Sequence, residues 1–177
     1  MSHVFVVYTD DEPGVLNRVT SLFRRRGFNI HSLTVGPTEL SGVSRMTIVV
    51  ETDAIGATLA HAHLEKLLNV QRVEQLSRFP SIVRDLVLLR VKADANLRPQ
   101  IMQLAAAFRA AVVDIAAESL ILECTGSAGK IDALLDVMRP YGILEIGRTG
   151  AVAMARGAGF YGVQSSYTAS ESLAPQS

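Results

Sequence analysis

One cysteine in 177 residues, Cys124, leaves nothing from which to build a disulfide framework or a multi-cysteine zinc site, and it points to a reducing compartment. Neither sign of charge is in excess. Seventeen Lys and Arg balance seventeen Asp and Glu, so the net charge is zero and nothing favours nucleic-acid or anionic-membrane binding over the surface as a whole. No apolar run approaches the roughly eighteen residues that span a bilayer. The start, Met1 to Phe5, lacks the charged region and long apolar stretch of a signal peptide. The expectation is a soluble, cytoplasmic protein without nucleic-acid or membrane partners. What the chain does have is core material: 49% of its residues are hydrophobic and 19% charged, the reverse of a disordered composition.

The pattern along the chain is a repeat. His3–Thr9 is rich in β-formers, and a turn cluster, Asp10-Asp11-Glu12-Pro13-Gly14, follows it. Val15, Leu16, Val19, Leu22 and Phe23 then share a helical face, which Arg24-Arg25-Arg26-Gly27 closes. Strand character returns over Asn29–Pro37 and Val43–Glu51. Asp53 can cap a second helix with the stripe Leu59, Ala60, Leu64, Leu67 and Leu68, and a fourth strand is expected from about Val70 to Phe79. After Pro80 the order recurs: a strand over Val83–Ala93, a helix with Leu97, Ile101, Leu104, Ala105 and Phe108, and strands over Val112–Ala116 and Ser119–Thr125. A helix with Ile131, Leu134, Leu135 and Met138 and a strand over Ile143–Gly147 complete it. Two tandem βαββαβ units of the ferredoxin-like α+β class are predicted, over residues 1–79 and 80–156. Residues 157–177, rich in Ser, Ala, Thr and Gln, are expected to form a flexible tail.

Catalytic constellations are missing. His61 and His63 stand two apart on a helix, face different ways and cannot grip one metal. Gly126-Ser127-Ala128-Gly129-Lys130 resembles a phosphate loop only superficially. Cys124 stands where that motif needs its first glycine, and Ile131 where it needs Ser or Thr, so a turn with Ser127 as helix cap is expected. Cys124 has no histidine near it in sequence and reads as a core residue. The third strand, Val43–Val50, lacks the aromatics with which RNA-recognition motifs stack bases. The first loop lacks the two cysteines of copper carriers of this shape.

The first loop is the feature left over. Gly14 stands where a helix begins, so unpaired backbone N–H groups face outward and suit a small carboxylate. Asp11 beside it could hold an ammonium group, and together they describe a site for an amino-acid zwitterion. The same residues also serve simply to start a helix. In the usual strand order of this architecture (fourth, first, third, second) the second strand is an edge, free to pair with its copy in another chain. Asn29 opens that strand and carries both a donor and an acceptor. It reads either as a ligand across such a seam or as a turn residue after Gly27.

Asp11-Glu12-Pro13-Gly14-Val15-Leu16 followed by Arg25-Arg26-Gly27-Phe28-Asn29-Ile30 resembles the ACT domain, a regulatory amino-acid-binding module. The longer run to Ser32-Leu33-Thr34-Val35-Gly36 and Ser44-Arg45-Met46-Thr47-Ile48 is similar to the acetolactate synthase (acetohydroxyacid synthase) small subunit. Phe108-Arg109, Asp114, Gly126, Gly129–Ala133, Arg148-Thr149-Gly150 and Arg156-Gly157 agree with it. The resemblance implies an N-terminal ACT domain over 1–79, for effector binding and dimerisation, and a C-terminal small-subunit domain over 80–156. It implies a non-catalytic regulator that activates a large catalytic subunit and confers feedback inhibition by valine or another branched-chain amino acid. Thiamine diphosphate, magnesium and FAD would sit in the large subunit and no cofactor in this chain. The effector site implied is Asp11, Gly14, Val15 and Leu16 of one chain with Asn29 and Ile30 of its dimer mate. A stand-alone ACT-type amino-acid sensor or transcriptional co-regulator is the alternative. It would share the first repeat but need not carry the patterns at Gly126–Ala133 and Arg148–Gly157.

Overall fold

The computed structural model describes residues 1–157, so the expected tail lies, from residue 158 on, outside the described residues. Two βαββαβ units follow one another. The first comprises β1 (Ser2–Asp10), α1 (Val15–Arg25), β2 (Ile30–Pro37), β3 (Val43–Glu51), α2 (Ala54–Leu64) and β4 (Val70–Gln75). The second comprises β5 (Ser81–Lys92), α3 (Arg98–Ala107), β6 (Ala111–Ile115), β7 (Ser119–Gly126), α4 (Ala128–Met138), β8 (Ile143–Arg148) and a further strand, β9 (Val152–Ala155). All pairings are antiparallel, in the orders β2-β3-β1-β4 and β6-β7-β5-β8, with β9 added to β5. The predicted strand order holds, and β2 is an edge.

Alternation in the strands places Phe5, Val7, Met46, Ile48 and Val50 on one face of the first sheet. That face packs on Val15, Val19 and Phe23 of α1 and Ala57, Ala60 and Leu64 of α2. Val87, Leu89, Leu120, Leu122 and Cys124 do the same in the second sheet beneath Ile101 and Ala105 of α3 and Ile131, Leu134 and Met138 of α4. Cys124 is a core residue, as expected. The stripe predicted for α2 is only half right. Leu59 is half exposed and Leu68 almost fully exposed, whereas small residues, Ala57 and Ala60, face the sheet and let the helix lie close. The fourth strand also stops earlier than expected. It ends at Gln75, and a short 3-10 turn, Leu76–Arg78, turns Leu76 inward.

Helix ends follow their capping chemistry. Gly27, at φ +71°, closes α1: its amide donates to Arg24 O and the Phe28 amide to Phe23 O. Asp53 opens α2 by accepting from the Gly56 amide at 2.7 Å, Asp94 takes the amides of Asn96 and Leu97 before α3, and Ser127 caps α4 through the Lys130 amide. Lys130 Nζ folds back to the Thr125 carbonyl, consistent with a turn rather than a phosphate loop. An Asp53→Ala variant is expected to lose about 1 kcal/mol. In a thermal melt that is a fall of roughly 2–4 °C for a chain of this size.

The strand that went unread, β9, joins the repeats. Ser81–Arg84, the first part of β5, pairs with Ala155–Val152, and the remainder of β5 pairs with β7 and β8. Ala153 and Ala155 then face the helix-free side of the first sheet, and with Val4, Val6, Leu76 and Val83 they form a third core. Arg45 of β3 donates to the Ala153 carbonyl, fastening the two layers.

Candidate functional site

The loop between β1 and α1 is held from beneath and left open above. The Asp11 amide donates to Gly42 O at 2.8 Å, and Asp11 Oδ1 accepts from Ser44 Oγ at 3.0 Å. Asn69, nearly buried, donates to Asp10 Oδ2 at 3.2 Å and Glu12 Oε2 at 3.3 Å and accepts from the Arg18 guanidinium. Gln71 secures the other Asp10 oxygen at 2.7 Å. Sequence reasoning missed Ser44 and Asn69, because each reaches the loop from a distant strand end and no local spacing announces it.

Gly14 holds φ +87° and no side chain caps the helix after it. The first bond of α1 runs from the Arg18 amide to Gly14 O, and Val15 N reaches Glu12 O. The amides of Leu16 and Asn17 have no acceptor among the described residues. α2 and α4 each start on a side-chain cap, Asp53 and Ser127, and Asp94 takes amides just ahead of α3, whereas no side chain accepts from the first turn of α1. A Cβ at Gly14 would meet nothing within 4 Å, so the approach to these amides is clear. The geometry suits a carboxylate at the positive end of the helix, and the exposed Asp11 stands at its side. Leu16 is partly exposed, while Val15 is buried in the core and offers the site only its backbone.

Asn29 and Ile30 are elsewhere. Ile30 pairs with Val50 and Asp10 with Val43, so the two groups stand at opposite ends of β3, roughly 24 Å apart. Within one chain they cannot share a small ligand. Asn29 is exposed at the start of β2, which pairs with β3 alone among the described strands. A second copy laid antiparallel along that edge would carry Asn29 toward another chain's Asp11–Leu16 loop.

A second polar cluster lies within the second repeat, joining β5, α4 and β8. Arg148 donates from Nε to Asp85 Oδ2 and from Nη1 to Asp132 Oδ1, each at 2.8 Å. Partial burial works against its charge, but the hydrogen bonds to Asp85 and Asp132 outweigh this and hold its pKa above the ordinary arginine value. No helix among the described residues is long and apolar enough to cross a membrane, and none of their His, Cys, Asp and Glu side chains form a group able to hold a metal ion.

Residues 5–72 match the family model for the AHAS small subunit-like ACT domain, and residues 84–157 match that for the small subunit of acetolactate synthase. The acetolactate synthase small subunit of Mycolicibacterium smegmatis is 47% identical over 156 residues, 88% of this chain and 92% of that one. The probable acetolactate synthase small subunit of Archaeoglobus fulgidus is 48% identical over 157 residues, covering 89% and 98%. A crystal structure of the acetolactate synthase small subunit from Thermotoga maritima superposes with a TM-score of 0.82 at 34% identity, covering 89% of this chain and 98% of that one.

Proposed function

Since the chain belongs to the acetolactate synthase small-subunit family, whose catalysis resides in the large subunit, we propose that it activates that subunit and subjects it to feedback by valine or another branched-chain amino acid. The observation that carries this reading is the uncapped start of α1, with the free Leu16 and Asn17 amides behind an unobstructed Gly14. The effector carboxylate sits on those amides, and Asp11 draws its ammonium group. Leu16 and Ile30 flank the aliphatic side chain, the Val15 backbone shapes the floor, and Asn29 of a second chain closes the site. Two chains pair through β2, so the ligand bridges a seam and favours one arrangement of the dimer over another. Residues 1–79 sense, and 80–156 contribute to the holoenzyme. Thiamine diphosphate, magnesium and FAD serve the catalytic subunit in the cytoplasm.

The test is reconstitution. Supplied with pyruvate and all three cofactors, the purified chain is expected to form no acetolactate, and adding it to its catalytic subunit raises the rate severalfold. Titration with valine, leucine and isoleucine then identifies the inhibitor. Turnover by the chain alone, or a catalytic subunit indifferent to it, would contradict this reading.

A further inference from the structure

Two positions beyond Ile30, β2 touches the second repeat. The Ala151 amide donates to Ser32 Oγ at 3.0 Å, and Thr34 Oγ1 donates to the Thr149 carbonyl at 3.2 Å. Gly150, between those partners, holds φ +82°, and a Cβ there would stand 2.7 Å from Ser32 Oγ and 3.2 Å from Ser32 Cβ. Glycine alone permits both that conformation and that approach. The far side of the turn is tied into the second sheet. The Leu86 amide donates to Thr149 Oγ1 and the Thr149 amide to Leu86 O, each at 3.1 Å, while Arg148 grips Asp85 on β5 and Asp132 on α4. A cavity of about 450 Å³ borders the turn, lined in part by His31, Leu33, Val83 and Arg148, so the link has open space beside it.

We propose that Arg148–Ala151 is the link by which effector occupancy at the first repeat reaches the second, with Ser32 and Gly150 as positioning residues that keep it without slack. The inference rests on the amino-acid reading of Asp11–Leu16 and Asn29. A ligand that ties Asn29 to another chain displaces the start of β2. Ser32 is the nearest position along that strand with a hydrogen bond into the second repeat, and close-packed neighbours transmit a displacement that a loose contact would absorb.

The full chain and the reconstituted holoenzyme test this, with L-valine as the probe. In Ser32→Ala, which deletes only the acceptor, and in Gly150→Ala, calorimetric affinity for valine stays within about threefold of the parent. Inhibition at saturating valine weakens by about fivefold or more. Valine alters hydrogen exchange at the Ala151 amide in the parent, and Ser32→Ala abolishes that response. Full inhibition in both variants would overturn the proposal, and so would loss of binding in step with inhibition, which would make the turn part of the binding site. Gly14→Asp separates this inference from the reading beneath it. If that variant still binds valine, the effector has been placed wrongly and the reading beneath fails; if binding is lost, that reading stands and Ser32→Ala and Gly150→Ala decide the link on their own.

Discussion

Alanine in place of Asn29 lowers valine affinity roughly ten- to a hundredfold. In the proposed cross-chain site the deleted amide would leave one polar end of the ligand without a partner, a loss of about 1–3 kcal/mol. The geometry makes a sharper statement than the magnitude. Asn29 and the Asp11–Leu16 loop belong to opposite ends of one sheet, so with the proposed pairing across β2 the substitution is expected to act on the neighbouring chain's site. Mixed dimers expose this directly. A Gly14→Asp chain paired with an Asn29→Ala chain concentrates both lesions in one site and leaves the other whole. Calorimetry on such dimers therefore finds one near-normal site per dimer. Finding none means that each substitution spoils its own chain's site, and pairing across β2 is then wrong.

Leu76→Ala is the second large effect, and it acts on stability. Leu76 is fully buried between the two sheets, against Val6 and Ala153. Truncation leaves a cavity that backbone from two different units must close, at a cost of about 3 kcal/mol. In thermal unfolding that corresponds to a fall of roughly 6–12 °C. Because this core joins the repeats, both are expected to unfold together in one earlier transition. Separate transitions, with only the first displaced, would show that β9 fastens nothing.

The repeat was readable because strand alternation and helix stripes are local properties, each written in a few consecutive residues. The departures have physical causes. At the end of α3, Arg109 holds φ +52° in the place that Gly27 occupies after α1, with the Ala110 amide donating to Ala105 O as Phe28 does to Phe23 O. The same closing motif is therefore spelled with a residue that does not advertise it. β9 inverts the usual code: Val152 and Met154 face outward, while Ala153 and Ala155 face the first sheet, whose closeness requires small side chains. In α2 the buried residues are likewise the small ones. The loop after β1 was legible through its Pro-Gly pair and three carboxylates. Its supports at Ser44 and Asn69 were not, because only the folded sheet brings them near.

Synthesis from the N-terminus gives β9 a place in time. The four strands of the first sheet are complete once β4 is made, but the cover over Val6 and Leu76 arrives only with Ala153. At ordinary rates of about 5–20 residues per second, the intervening stretch takes roughly 4–15 seconds to translate. Through that interval the nascent chain presents an apolar sheet face to whatever surrounds the ribosome. A message broken before β9 is expected to leave that apolar face uncovered, since the last of the described strands is the one that covers the first sheet formed.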